Sequence, residues 1–296
     1  MHGFIINPAS GNGRGAVVWK SVERALRDRK LPYEAAFTTG PGDATAIAQR
    51  MARQETIQSV TAVGGDGTAN EAAFGLFGTD VPMGHIPAGS GNDFARNMRL
   101  PLEPLAALDV VLRGRVDRID LGRAGHRIFV NSVGCGFDGE VAKATEQAPW
   151  KSWMNRLRLG GASYALSVLT VLFRFRPFQA TIEVDGEARR IRDVWMVVTA
   201  NLPCYGGGMR ICPGASPRDG TFQVCVVHGL TRTQLIRNFP RIYRGTHVAL
   251  PYVTMLEGKR VTVRGDRPLV AQVDGEYAEW NDADVVVLDR ALAVVH

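Results

Sequence analysis

The chain has 296 residues, 45% of them hydrophobic, with 33 glycines and 15 prolines. This composition is typical of a globular protein with many tight turns, and it excludes a disordered or fibrous chain. The net charge of +6 favours an anionic partner such as nucleotide phosphates, nucleic acid or an anionic membrane surface.

The first 120 residues alternate between strand-like and helical patterns. Short apolar runs predict strands at 3–6, 33–38, 56–63 and 85–87. Apolar residues at helical spacing predict helices at 16–29, 43–53, 69–77, 93–98 and 105–113. This alternation predicts an α/β domain with a parallel sheet over residues 1–120.

From residue 121 to residue 296, short runs alternate apolar and polar residues between Gly, Pro and Asp. They predict a mostly antiparallel β domain. Helical insertions are expected near 139–173 and 231–244. The cysteines lack the spacing of a zinc site or a disulfide framework, and no signal peptide or membrane-spanning run is seen, so a cytoplasmic protein is expected.

Three glycine-rich segments follow predicted strands in the first half: NPASGNGRG (7–15), GGDGT (64–68) and PAGSGND (87–93). Open α/β sheets bind ligands beyond the carboxyl ends of their strands, and glycine lets the backbone approach a phosphate. Three such loops in one domain favour a nucleotide site over ordinary turns. Neither a complete Rossmann fingerprint nor a Walker motif is present.

The helix expected after GGDGT begins with a candidate capping box formed by Thr68 and Glu71, so a structural role for this pair is as good an interpretation as a catalytic one. Ser90 and Asp93 fit a cap of the next helix. Asp66 precedes the expected cap and lacks such an explanation. Because a carboxylate repels phosphates unless a cation intervenes, Asp66 indicates Mg²⁺ carried by a nucleotide.

The segments GGDGTANE (64–71) and PAGSGNDFAR (87–96) resemble the catalytic domain of the diacylglycerol kinase superfamily, which includes bacterial soluble lipid kinases, sphingosine kinases and ceramide kinases. NAD kinases and phosphofructokinases carry near variants of GGDGT, so the ordered set of segments is the specific signal. The set also includes NPASGNGRG (7–15), FTTGPGDA (37–44), ICPGASPRDGTFQVCVV (211–227) and VDGE (273–276).

The resemblance implies an N-terminal α/β nucleotide-binding domain, similar to NAD kinase and phosphofructokinase, and a C-terminal β-sandwich, with the active site in the cleft between them. It also implies a Mg²⁺ site in the second domain at Asp219 with main-chain carbonyls of Ser216 and Thr221, where the residues alone indicate only a turn. The residues that the resemblance assigns to ATP binding are Asn7, Pro8, Ser10, Gly11, either Thr38 or Thr39, Gly64, Gly65, Asp66, Gly67, Thr68, Glu71 and Ser90.

A lipid hydroxyl needs a base to accept its proton. The resemblance places this base in VDGE (273–276), where we rank Glu276 ahead of Asp274; Asp66 would organise Mg²⁺ and water. The alternative for this segment is a plain hairpin turn. A second VDGE at 184–187 is interpreted as a turn only.

Residues 147–182 contain five basic and no acidic residues. Trp150, Trp153, Met154 and Leu157 follow helical spacing, which favours a helix lying on an anionic membrane over a core helix with a solvated face. The expected partners are a lipid substrate and this membrane surface, with peripheral association. No nucleic-acid partner is expected, and a homodimer is left open.

We therefore expect an ATP- and Mg²⁺-dependent lipid kinase that converts diacylglycerol to phosphatidic acid. The alternatives are a kinase of the same fold that acts on a sphingoid lipid, or one that acts on a soluble substrate such as NAD. A non-catalytic regulator is less favoured, because Asp66, Asp274 and Glu276 are all present.

Overall fold

The computed structural model describes residues 1–147 and 160–296. The chain divides into two compact units. The first unit contains residues 1–121, 206–208 and 289–296, and the second contains residues 122–205 and 209–288.

The first unit is built on parallel strands in the order β2-β1-β3-β4. These strands are β1 (His2–Ile6), β2 (Tyr33–Phe37), β3 (Ser59–Gly64) and β4 (Met83–Pro87). The chain runs from β1 outward to β2 and then returns past β1 to β3. Such a reversal of strand order is a switch point, where the loops at the carboxyl ends diverge and leave a crevice.

Helices join the strands of the first unit and cover its sheet. Val18, Val22 and Leu26 recur every four residues on the first helix, and this face is buried. Trp19 packs on Phe4 of β1 with ring centroids 5.4 Å apart. The helices are α1 (Ser10–Asp28), α2 (Asp43–Ala52), α3 (Asp66–Leu76), α4 (Asp93–Asn97) and α5 (Pro104–Arg113).

The second unit is built mainly from antiparallel strands. Its long ninth strand pairs through residues 187–191 with the eighth strand and through residues 194–200 with the seventh and tenth strands. One long strand thus pairs with different neighbours along its length, and residues of these strands pack into a common apolar core. The strands that lie wholly or partly in this unit are β5 (Val116–Ala124), β6 (Arg127–Phe129), β7 (Ser132–Gly136), β8 (Phe178–Val184), β9 (Glu187–Ala200), β10 (Phe222–His228), β11 (Val253–Gly258), β12 (Arg260–Val273) and β13 (Glu276–Val295). Residues 116–121 of β5 belong to the first unit.

Helices interrupt the second unit at both expected places. Arg232 is the first residue of one of these helices. Its guanidinium donates to the carbonyl of Leu172 (3.0 Å), in the last turn of another helix, and to that of Phe175 (2.7 Å), just beyond the same helix. The prediction of an α/β domain followed by a mostly antiparallel β domain is confirmed. The helices are α6 (Phe137–Glu146), α7 (Gly160–Arg174), α8 (Arg232–Asn238) and α9 (Arg241–Arg244), followed by a 3₁₀ turn at Thr246–Ala249.

The last residues of β13 belong to the first unit, although the sequence analysis assigned residues 121–296 to the second domain. Val294 pairs in parallel with Met83 of β4. The N–H of Arg290 donates to Asp120 Oδ1 (2.7 Å). The alternating pattern could not reveal this change of partner because β13 continues without a break from one unit into the other.

Among residues 1–147 and 160–296, no helix is long and apolar enough to cross a membrane. All four cysteines are free, and Cys135, Cys212 and Cys225 are buried.

Candidate functional site

The loops after β1, β3 and β4 come together at the carboxyl ends of these strands. The N–H of Asn7 donates to the carbonyl of Val63 (3.0 Å), and the N–H of Ala88 donates to the carbonyl of Gly64 (2.7 Å). The three glycine-rich segments therefore meet at the switch point of the parallel sheet.

Glycine is required where these loops touch. A Cβ atom on Gly11 would lie 2.3 Å from the carbonyl oxygen of Ala88, and one on Gly89 would lie 2.5 Å from the Cα of Gly65. Gly11 also has a φ of 58°, a left-handed conformation that glycine adopts at low cost. Main chain thus packs against main chain, as in loops that hold phosphates.

Asn7 joins the first loop to α3. Its Nδ2 donates to Thr68 Oγ1 (3.1 Å). Pro8 follows Asn7 in the loop, and Ser10 Oγ lies 3.2 Å from the position that a Cβ on Gly65 would take. Five of the predicted nucleotide-binding residues are thus close together in the first unit, namely Asn7, Pro8, Ser10, Gly65 and Thr68.

Asp66 is the first residue of α3, and its carboxylate is held by the start of α4. Its Oδ1 accepts the N–H of Phe94 (2.9 Å). Burial raises the pKa of Asp66, the charge of Asp93 adds to this shift, and backbone N–H donors from residues 92–94 oppose it. The view that Asp66 has no structural partner was wrong, because the sequence does not show that α4 begins beside it.

The expected cap of α4 by Ser90 and Asp93 is not formed. Ser90 is exposed, and the residue preceding the helix is Asn92. Asp93 instead accepts the N–H groups of Gly207 and Gly208 at 2.8 Å each. The sequence did not predict this role of Asp93, and its only signal is the run of three glycines at 206–208.

The capping box of Thr68 and Glu71 is also not formed, because α3 begins at Asp66 and places Thr68 inside its first turn. Gly67 lies between Asp66 and Thr68 in the same turn. Glu71 Oε2 accepts the N–H of Ala44 (3.0 Å) and so stabilises the first turn of α2. The role of Glu71 is therefore to join two helices rather than to begin one.

Thr38 and Thr39 follow β2. Thr38 is buried, and its N–H donates to the carbonyl of Ile6 (2.8 Å). The N–H and hydroxyl of Thr39 donate to Asp43 Oδ2 at 2.7 and 2.6 Å. The hydrogen bond from the Thr39 hydroxyl is the main cause that lowers the pKa of Asp43. This loop is thus ordered by its own aspartate.

In the second unit, VDGE (273–276) is a tight turn between β12 and β13, with φ of 49° at Asp274 and 91° at Gly275. The Asp274 carboxylate accepts the N–H groups of residues 130, 131 and 132 at 2.7, 2.9 and 2.9 Å. The Glu276 side chain is 81% exposed and lies 4.0 Å from Arg127. Glu276 is therefore the carboxylate of this segment that is exposed to solvent.

The second VDGE (184–187) forms a turn of the same geometry between β8 and β9. Asp185 and Gly186 have φ of 49° and 90°. Asp185 accepts the N–H groups of Lys259 (3.0 Å) and Arg260 (2.8 Å). Glu187 is 83% exposed. The turn geometry alone therefore does not distinguish the two segments.

The segment proposed for a structural metal is an exposed turn. Asp219 Oδ1 accepts the N–H and hydroxyl of Thr221 at 3.0 and 3.1 Å. The Thr221 hydroxyl also donates to Glu257 Oε1 (3.3 Å). No group of three or more His, Cys, Asp or Glu side chains suited to a metal occurs in the part of the chain that is described. The oxygen donors here suit Mg²⁺ in kind but include few carboxylates.

The tryptophan-containing segment predicted to contact a membrane lies mostly outside the described residues. A different basic surface is present on α8 and α9. Residues 220–256 contain no Asp or Glu. The exposed side chains that define this α8–α9 surface are Ile236, Arg237, Phe239, Arg241, Tyr243 and Arg244.

Comparison with known proteins gives two domain matches. Residues 2–124 match the diacylglycerol kinase catalytic domain, and residues 131–296 match the YegS C-terminal NAD kinase beta sandwich-like domain. A diacylglycerol kinase of Mycobacterium tuberculosis strain H37Rv is 32% identical over 298 residues, which cover 98% of this chain and 93% of that protein. A diacylglycerol kinase of Bacillus subtilis strain 168 is 31% identical and covers 99% and 95%.

A crystal structure of a diacylglycerol kinase from Bacillus anthracis strain Sterne has the same fold, with a TM-score of 0.74, 18% identity, and coverage of 99% of this chain and 96% of that chain. The two domains in this order define an enzyme that phosphorylates lipids. The chain belongs to the diacylglycerol kinase family. The resemblance found in the sequence is thus confirmed.

Proposed function

We propose that this lipid kinase transfers the γ-phosphate of ATP to a hydroxyl of diacylglycerol and forms phosphatidic acid. The meeting of three glycine-rich loops at the switch point of the first unit carries this proposal, because such a corner suits a polyphosphate. The names of the relatives support diacylglycerol as the acceptor.

In this proposal, backbone N–H groups of the loops hold the phosphates, with Asn7, Ser10 and Thr68 beside them. Asp66 would hold the Mg²⁺ that accompanies ATP, and that ion would neutralise phosphate charge. Asp219, with carbonyls of Ser216 and Thr221, would hold a second, structural Mg²⁺. The oxygen donors at both places are of the type that this ion prefers.

Glu276 is the proposed base. It would take the proton from the lipid hydroxyl as the hydroxyl oxygen bonds to the γ-phosphorus and the bond from that phosphorus to the β-phosphate oxygen breaks. Asp274 suits this role less well, because its carboxylate is committed to three backbone N–H donors.

The test is to incubate the purified protein with Mg²⁺ and ATP and to offer diacylglycerol, sphingosine, ceramide and NAD separately, the lipids in anionic mixed micelles. Mass spectrometry should detect phosphatidic acid. Phosphorylated NAD without any lipid product would overturn the proposal. The Glu276→Gln variant should lower kcat by about 100-fold or more, whereas Glu187→Gln in the second turn should not change it.

We also propose that the α8–α9 surface contacts an anionic membrane. Its arginines have no ion-pair partner among the described residues, and exposed aromatic and aliphatic side chains lie between them. Beneath it, a small apolar cavity is lined by Leu235, Phe239 and Ile242 of the helices and by Val227 and Val253 of the strands.

Vesicle flotation tests the membrane proposal. The Arg241→Glu/Arg244→Glu double variant should bind phosphatidylglycerol-containing vesicles about thirty-fold more weakly than the wild type, because each of the two arginines contributes about 1 kcal/mol near such a surface. The Arg24→Glu/Arg53→Glu variant changes the net charge equally on the first unit and should bind normally. Equal loss in both variants would show an unspecific charge effect.

A further inference from the structure

A partly buried polar cluster lies beside the VDGE (273–276) turn, within the second unit. Asp138 near the start of α6 is partly buried, and its Oδ2 accepts both the hydroxyl of Tyr205 (2.9 Å) and the Nε2 of Gln272 (2.9 Å). A Cβ on Gly134 would lie 2.1 Å from the same oxygen. Only glycine at residue 134 therefore leaves room for the Asp138 carboxyl.

Gln272 connects this cluster to the turn. Its side chain is 4% exposed, and its Oε1 accepts the N–H of Gly275 at 2.6 Å. The amide group therefore donates at one end to Asp138 and accepts at the other end from the turn. This assignment is unambiguous, because rotating the amide would face oxygen against oxygen and N–H against N–H.

The second VDGE turn provides an internal comparison. The residues preceding the two turns make the segments EVDGE (183–187) and QVDGE (272–276). In both turns the aspartate N–H donates to a carbonyl of a neighbouring strand or loop at 3.0 Å, and the carboxylate accepts backbone N–H groups. At the position of Gln272, however, the first segment has Glu183, which pairs with Arg264 near the surface (3.2 Å).

We propose that Gln272 is a positioning residue for lipid phosphorylation. Held by Asp138 and Tyr205, it fixes the Gly275 N–H and thereby the direction in which Glu276 leaves the turn. This inference rests on the proposed role of Glu276 as the base. A turn that serves only to join two strands does not need such support, and the EVDGE turn forms with a charged surface pair at the same position.

Burial raises the pKa of Asp138, and the hydrogen bonds from Gln272 and Tyr205 oppose that shift. A buried carboxyl without these donors would carry a large desolvation cost. The three side chains thus depend on one another, and loss of one should loosen the others.

The experiment uses the full-length protein with Gln272→Met, a change of similar volume that removes both hydrogen bonds. The expected result is about a 100-fold lower kcat, the loss that a misplacement of about 1 Å can produce. KM for ATP should stay within about two-fold of the wild type, because the nucleotide loops belong to the first unit. Glu183→Met is the matched control and should keep normal kcat.

Hydrogen exchange provides a readout that does not depend on activity. The peptide covering residues 273–276 should exchange faster in Gln272→Met, whereas the peptide covering residues 184–187 should not. Rates are expressed per nucleotide-binding site, so that misfolded protein is not counted. A normal kcat together with normal exchange at 273–276 would overturn the proposal.

Two further variants separate the possible failures. If Glu276→Gln keeps full activity, the proposed base is wrong. If Glu276→Gln is inactive while Gln272→Met is fully active, only the positioning role is wrong. Should Gln272→Met fail to fold, Tyr205→Phe removes one hydrogen bond to Asp138 and should lower kcat about five-fold or more with KM for ATP unchanged; an unchanged kcat would overturn the inference.

Discussion

The carboxylate of Asp66 has one structural role and one proposed catalytic role. It accepts the backbone N–H of Phe94 at the start of α4, and in the proposed reaction it also organises the cation of the nucleotide. The charge of Asp93 beside it makes the site more negative than one carboxylate alone would, and burial of the group increases this effect. Such a pair favours a bound cation over an empty site.

Asp66→Asn should abolish most turnover while the protein stays folded. The amide oxygen can still accept from Phe94, so the start of α4 is retained, but the charge that attracts a cation is lost. A decrease in kcat of about 100-fold is expected, with little change in the thermal unfolding midpoint. Near-normal turnover in this variant would remove Asp66 from the mechanism.

His85 of β4 should make stability depend on pH. Burial lowers its pKa from 6.5 to about 4, so between these values the unfolded chain binds a proton that the folded protein excludes. Its stabilising contribution is present above pH 6.5 and is lost as the pH falls towards 4.

For this shift in the pKa of His85, the free energy of unfolding should fall by about 3 kcal/mol between neutral and acidic pH. Urea unfolding at neutral pH and near pH 4.5, a window set by the shift of His85, should therefore show a smaller acid loss for His85→Leu than for the wild type. The carboxyls with raised pKa values, Asp66 and Asp138, act in the opposite direction but contribute equally to both proteins. Identical pH dependence in wild type and variant would contradict the prediction.

At the scale of elements, the sequence predicted the helices and strands better than the contacts at their ends. The S/T-x-x-E pattern at Thr68 correctly predicted that a helix begins near this residue. Whether Glu71 turns back to its own helix or reaches Ala44 depends on how α2 packs beside α3, which no local pattern contains. The same holds for Asp93 and the distant glycines at 207 and 208.

The two VDGE turns allow one substitution to be compared at two places. Gly275 and Gly186 have φ of 91° and 90°, and open space surrounds the Cβ position of both. Alanine at either residue should cost about 1 kcal/mol through backbone strain. We expect similar losses of stability by urea unfolding, but a large loss of kcat only for Gly275→Ala. Equal kcat in the two variants would argue that the 273–276 turn has no role beyond joining strands.

At the scale of the whole molecule, the ordered motifs were sufficient to predict the fold class and the family. The motifs did not predict that residues 289–296 belong to the first unit, because the sequence pattern of a continuous strand does not change where its partners change. The duplicate VDGE at 184–187 was set aside because its flanks predict an exposed hairpin and because the family motif lies late in the sequence. The side chains that support the 273–276 turn, Gln272 and Asp138, come from a strand and a helix that are far apart in the chain.

Removal of residues 289–296 should unfold the first unit. Leu292, Val294 and Val295 are buried there, and together they contribute on the order of 5 kcal/mol, comparable to the total stability of a domain. We expect the truncated protein to lose protection of residues 1–121 from proteolysis. The control is His296→Ala, which changes one exposed side chain and should leave protection intact.

The return of the last strand to the first unit has a consequence for synthesis. Residues 1–121 are translated before residues 289–296, so their sheet lacks its β13 neighbour until those residues have also been made. At ordinary elongation rates this delay is roughly ten to thirty seconds. During that time β4 presents an unpaired edge, the kind of edge that can pair with another chain. Residues 289–296 therefore complete a sheet that residues 2–6 begin.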